Sequence, residues 1–317
     1  MIMAQALFKW MKARDPLCTI DLLAPEWSLP VISRMPEVRK GVVLPAGHGE
    51  LAFSKRWQLG QWLRAAAYDR AIVLPRSMKS ALVPWFAGIS QRTGFRGEMR
   101  YRLINDRRPF DKAVLDQTVK RFLALGLERG EAMPDIPQPV LRVDTANQQR
   151  VCAELGLDRS RPVVALMPGA EYGPAKRWPI ESFTTLAASL ERAGYGVWVL
   201  GSAKEEPLGA AIAAGSPAHN LCGRTQLADV IDLLAGCRYA VSNDSGLMHM
   251  AAAVGTHVVA IYGSTSPDFT PPLTDRKTIH FLNLDCSPCF QRECPLKHLR
   301  CLREISPQSV LEDIVTA

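Results

Sequence analysis

Three short segments carry residue types able to handle a phosphorylated ligand. Residues 242–249 read SNDSGLMH and lie between an apolar run of strand character and a helical pattern. The backbone N–H groups near Ser245 and Gly246 would then point outward from a helix N-terminus. Free donors and the helix dipole favour an anion there, such as a diphosphate. Gly246 allows close approach to the backbone, and Ser245 adds a hydroxyl donor. Asp244 stands at the carboxyl end of the strand, where open α/β sheets bind ligands. A plain strand-to-helix turn capped by Asp or Ser would read the same way.

Residues 168–178, PGAEYGPAKRW, form a glycine-punctuated loop after another apolar run. Lys176 could neutralise charge growing on a departing diphosphate. Two adjacent cations, Lys176 and Arg177, are disfavoured near a helix N-terminus, and a bound anion would resolve that conflict. The plainer reading points both into water. Residues 199–206, VLGSAKEE, bring Ser202, Lys204, Glu205 and Glu206 to a third strand end. A carboxylate here could hold ribose hydroxyls, or the acidic pair could simply complement a helix dipole. There is no Walker motif, and no DxD-like acidic pair stands out as a metal holder. Lysine and helix dipole would then supply the electrostatics that Mg²⁺ supplies elsewhere.

These loops need strands to position them. Residues 162–167, 197–200, 239–242 and 257–261 read as strands; residues 180–193, 227–235 and 246–254 read as helices, Gly194 closing the first. Such alternation implies a parallel sheet covered on both faces. The first half is similar: a helical stripe of Ala4, Leu7, Phe8 and Met11, then strand candidates at 19–24, 42–44 and 71–74. A doubly wound domain normally opens with a central strand, whereas this chain opens at the helix, so the first domain is expected to lack its first strand. The proline-rich MPDIPQP at 133–139 reads as a linker, giving domains 1–140 and 141–317.

The chain has 317 residues, 47% hydrophobic and 22% charged, with a net charge of +7. That suits two globular domains. No apolar run approaches the roughly 18 residues of a membrane span, and residues 1–11 show no secretory pattern; the reading is a cytoplasmic protein. Residues 76–108 hold Arg76, Lys79, Arg92, Arg96, Arg100, Arg102, Arg107 and Arg108 against Glu98 and Asp106. The patch points to an anionic partner: nucleic acid, a phosphorylated glycolipid or a membrane surface. A solvated basic face is the bland alternative. Nucleic acid is disfavoured, since no recognition helix or aromatic stacking motif accompanies the patch. Cys286, Cys289, Cys294 and Cys301 fall within 16 residues, spaced C-x2-C-x4-C-x6-C around His298. A closed structural zinc site is one reading, an iron–sulfur cluster a lesser one, and inert thiols the third.

The segments NDSGLMH, PGAEYGPAKRWP and YGSTSPDFTPPL (262–273) resemble the lipopolysaccharide heptosyltransferases, as does LPRSMKSALVPWFAGISQRTGFRGEMRY (74–101). The resemblance spans nearly the whole chain. It implies a GT-B fold of two facing Rossmann-like domains and inverting, metal-independent transfer from ADP-L-glycero-D-manno-heptose. The 74–101 segment resembles most the members that add the second heptose, to a heptosyl-Kdo-lipid A acceptor; members that add the first heptose are the alternative. Matched by position, Lys176 contacts the donor phosphates, and Asp244, Ser245, Gly246, Leu247 and His249 form the donor loop. Glu205 or Glu206 matches the ribose-binding carboxylate, with Ser202 on the same donor side. Ser77, Lys79, Arg96 and Arg100 fall where acceptor contacts are expected. The lipid acceptor and basic face imply a peripheral position at the inner face of the inner membrane. Family members begin with a strand and a Gly-Asp turn whose aspartate is the general base. That segment is missing ahead of Met1, and Asp15 and Asp21 are poor substitutes. A nucleotide-sugar-binding protein without catalysis is therefore the rival of another class.

Overall fold

The computed structural model describes residues 1–47 and 49–316. The chain divides into two compact units between Pro137 and Gln138.

The second unit holds a parallel sheet of six strands: β6 (Val163–Met167), β7 (Gly196–Val199), β8 (His219–Asn220), β9 (Tyr239–Asn243), β10 (His257–Tyr262) and β11 (Lys277–Phe281). Their spatial order is β11-β10-β9-β6-β7-β8. The order reverses between β6 and β9, so the crevice at their carboxyl ends is the topological switch point of a doubly wound sheet. Both strands are buried along their whole length, which explains why β6 is apolar throughout and β9 is apolar up to Ser242. Helix Ile180–Arg192 lays Phe183, Leu186, Ala187 and Leu190 on the sheet. It ends where Gly194 takes φ +87°, a conformation glycine adopts without strain. Trp178, fully buried, joins the same core and donates its indole N–H to Ile305 O at 3.0 Å.

The first unit has two separate parallel pieces. β1 (Ile20–Ala24) pairs with β2 (Val38–Val43), while β3 (Arg70–Val73), β4 (Gln91–Phe95) and β5 (Asp106–Arg108) pair in that order. Among the described residues no strand joins β1 to β3. The pieces have the arrangement of the two wings of a doubly wound sheet, strands 3-2 and 4-5-6, without the centre. The consequence is visible in packing. Only Val73 of β3 is buried, and Leu23 of β1 is exposed.

The expected strand at 42–44 begins earlier, at Val38, because the polar residues of VRKGVV sit on a largely exposed strand. Four strands had no counterpart in the sequence reading. β4 and β5, with sequences QRTGF and DRR, lie inside the basic stretch. β8 has two residues, and β11 reads KTIHF at the sheet edge.

Candidate donor site

β6 runs into the 168–178 loop and β9 into helix Gly246–Ala253, so the switch point brings these two segments side by side. Lys176 Nζ lies 2.6 Å from Asp244 Oδ2 and 3.4 Å from Asp244 O. Both side chains are largely withdrawn from solvent, at 14% and 5% exposure. Asp244 also accepts hydrogen bonds from Thr265 Oγ1 at 2.7 Å and from Thr270 Oγ1 at 3.3 Å. The carboxylate is thus held on several sides, and the ammonium is fixed at one point. A buried charge pair persists when its remaining lone pairs are satisfied in this way.

Asn243, buried at the end of β9, stitches the two segments. Its side chain accepts the Trp178 N–H at 2.9 Å and donates to Pro168 O at 2.8 Å. Tyr172 stands over Lys176, with Nζ 5.1 Å from the ring centroid.

Helix Gly246–Ala253 begins directly after Ser245, its N-cap. Ser245 Oγ and Ser242 Oγ are 3.2 Å apart. Gly246 is exposed, and a Cβ built there would meet nothing within 4 Å. Protein packing therefore does not require glycine at this position, and the space above the helix N-terminus is open. Leu247 and His249 are half-buried on the same helix. Burial is the main influence on His249, pushing its imidazole down to about 4 against the opposing pull of Asp244.

At the end of β7, Glu205 turns back on its own loop, where Oε2 accepts the Ser202 N–H at 2.6 Å. Its carboxylate lies against Gly169, where a Cβ would come within 1.6 Å of Oε1. Glu205 therefore links the 199–206 loop to the 168–178 loop, while also capping the turn. Ser202 is exposed beside it.

The expected acceptor residues belong to the first unit. Ser77 and Lys79 are half-buried and Arg96 is exposed. Arg100 is different: it is only 2% exposed and donates to Phe95 O at 2.6 Å and Pro75 O at 2.7 Å. It braces the 75–80 loop from below. The basic stretch is also less free than its composition implies. Arg92 donates to Leu103 O, Arg108 pairs with Asp106 at 2.9 Å, and Arg76 stacks on Phe110 at 4.3 Å. Asp21 is engaged by Arg39, Lys40 and Tyr68. Burial opposes ionisation of Asp21, but these partners outweigh it and hold its carboxyl below the usual range.

Cys286, Cys289, Cys294 and Cys301 are free thiols. Among the described residues no three His, Cys, Asp or Glu side chains are grouped to hold a metal ion. Thr265, Thr270 and Asn243 were not singled out by sequence reasoning. The two threonines lie within the YGSTSPDFT segment, which carried resemblance but no role.

The sequence profile of glycosyltransferase family 9 (heptosyltransferase) matches residues 56–300. The chain is 43% identical over 326 residues to lipopolysaccharide heptosyltransferase 2 of Salmonella typhimurium, covering 99% of this chain and 94% of that protein. It is 45% identical over 294 residues to lipooligosaccharide heptosyltransferase 2 of Haemophilus influenzae, covering 88% and 84%. Among solved structures it is similar to E. coli ADP-heptose lps heptosyltransferase II, with a TM-score of 0.89 and 41% identity, covering 100% of this chain and 94% of that one.

Proposed function

The chain belongs to glycosyltransferase family 9, the heptosyltransferases, and from that premise we propose that it transfers L-glycero-D-manno-heptose from ADP-heptose to the first heptose of the lipopolysaccharide inner core. Its fold is of the GT-B type. The observation that carries the reading is the Lys176–Asp244 pair, fixed at 2.6 Å beside the open N-terminus of helix Gly246–Ala253. A diphosphate laid across that N-terminus meets the helix N–H groups and the Lys176 ammonium together. As the sugar carbon loses its bond to the diphosphate, negative charge grows on the leaving oxygen. The fixed donors stabilise that charge without reorganising. This arrangement needs no divalent cation, and attack from the opposite side of the sugar carbon inverts its configuration.

The choice of acceptor rests on the relatives. Similarity to heptosyltransferase 1 of Pseudomonas aeruginosa is lower, 28% identity over 75% of this chain, against 43% over 99% for heptosyltransferase 2. The acceptor is a lipid, and no helix among the described residues is long and apolar enough to cross a membrane. Contact with the bilayer is then peripheral. Exposed Trp57, Trp62 and Trp85, with Lys55 and Arg64 nearby in sequence, support such contact.

The test is an in vitro transfer assay with ADP-heptose and two acceptors, heptosyl-Kdo-lipid A and Kdo-lipid A, read by mass spectrometry. Gain of one heptose on the heptosylated acceptor alone supports the reading. Transfer to the Kdo acceptor would assign the first heptose instead. ADP-heptose binding with no product on either acceptor would make the chain a nucleotide-sugar-binding protein.

A further inference from the structure

Residues 283–301 supply none of the side chains placed in the donor site, yet they have an elaborate backbone. In the fold, Cys286, Cys289, Cys294, Cys301 and His298 line one void of about 20 Å³. That is room for a single atom-sized occupant. Of the six non-glycine residues with positive φ among the described residues, four lie here: Asn283, Phe290, Lys297 and Leu299. Such conformations persist only where the surroundings impose them, and they cluster at functional sites. Phe290 directly follows Cys289, and Lys297 and Leu299 flank His298. The turn they make is closed by Lys297, whose N–H donates to Cys294 O at 3.0 Å. In the structure the thiols line the void without being drawn to ligand distance.

We propose that Cys286, Cys289, Cys294 and Cys301 form a closed structural site for one zinc(II) ion. Four sulfurs match the tetrahedral coordination of structural zinc and leave no open position for catalysis. Each thiol gives its proton to solvent as its sulfur binds the ion. His298 lies outside the set, because its Nδ1 accepts the Arg300 N–H at 3.0 Å and orders the turn.

The site also braces the Lys176 loop. Ala175 and Ser264 line the same void. Ala175 donates its N–H to Arg292 O at 3.0 Å, Phe290 its N–H to Ser264 O at 2.7 Å, and Tyr172 its hydroxyl to Phe290 O at 2.7 Å. Zinc at the cysteines thus fixes the segment against which residues 172–176 rest, immediately beside the ammonium.

The experiment is metal analysis of the full chain, grown with zinc and purified without chelator. About one zinc per chain is expected, falling to background in Cys289→Ser and Cys294→Ser. Should those variants fail to fold, the wild-type chain is titrated with p-hydroxymercuribenzoate. Release of one zinc as four thiols react supports the site, and cobalt(II) should give the visible bands of a tetrahedral thiolate complex. Wild-type protein with four freely reactive thiols and no zinc overturns the proposal, as does zinc retained in both variants or iron found in its place. None of these readouts depends on heptose transfer.

Discussion

Lys176 meets a carboxylate before any substrate arrives. Its pairing with Asp244 directs the ammonium and keeps it from collapsing onto solvent, while Thr265 and Thr270 hold the carboxylate in turn. On the proposed function, removing the ammonium takes away a donor aimed at charge that develops only in the transition state. Lys176→Ala should therefore lower kcat by about a hundredfold with unchanged far-UV circular dichroism; near-normal turnover would remove Lys176 from the role. His249 gives a separate test through pH. Its folded value, about 4, lies below the ordinary imidazole value near 6.5. Between those values the unfolded chain takes up a proton that the folded chain resists. Stability is present above that window and is lost as pH falls through it. Urea midpoints should drop from about pH 7 to about pH 5, and less steeply in His249→Asn. Parallel slopes in the two proteins would show that His249 is not responsible.

At the scale of elements, the site consists of strand ends and the loops they release. The 168–178 loop keeps its position because Asn243 bonds it to β9 and because its backbone runs against Arg292. Gly173 marks the closest approach: a Cβ there would lie 2.5 Å from Arg292 O. Gly173→Ala must push residues 172–176 away from that carbonyl and weaken the Ala175–Arg292 hydrogen bond. Steady-state kinetics should show kcat/KM for the sugar nucleotide reduced by up to about a hundredfold, since displacements near 1 Å are enough for that. The protein should still fold, because the strands beneath are untouched. Unaltered kinetics would show that the loop position is set elsewhere.

At the scale of the whole molecule, the two units differ in the continuity of their sheets. The second has one six-stranded sheet, with a large apolar cluster around Trp178 and Phe183. In the first, β1–β2 and β3–β4–β5 form two separate sheet pieces. A sheet edge leaves backbone groups without strand partners, so β1 and β3 should exchange their amide hydrogens sooner than β6 and β9. ADP binds the second unit on this reading, and a ligand at a hundredfold excess over Kd adds about 2.7 kcal/mol to the unit that holds it. Hydrogen exchange with and without ADP should show added protection at residues 172–178 and 243–250. Protection confined to the first unit would place the nucleotide elsewhere.

Sequence was sufficient where a residue's surroundings are uniform or local. β6, β9 and β10 are almost wholly buried, and their apolar runs, residues 163–167, 239–241 and 258–262, were legible as strands. The places of Lys176, Asp244 and Gly246 in the fold were legible because strand ends and helix starts fall at fixed positions relative to such runs. β4 and β5 were hidden, because arginines whose heads reach backbone carbonyls or Asp106 look like a solvated charge run. The role of Arg100 as a brace was hidden for the same reason. The tertiary structure alone decided the Lys176–Asp244 pair, 68 residues apart, and the two threonines that hold it. Those contacts exist only because β9 lies beside β6, and strand order is a property of how the chain crosses the sheet, which no local pattern encodes.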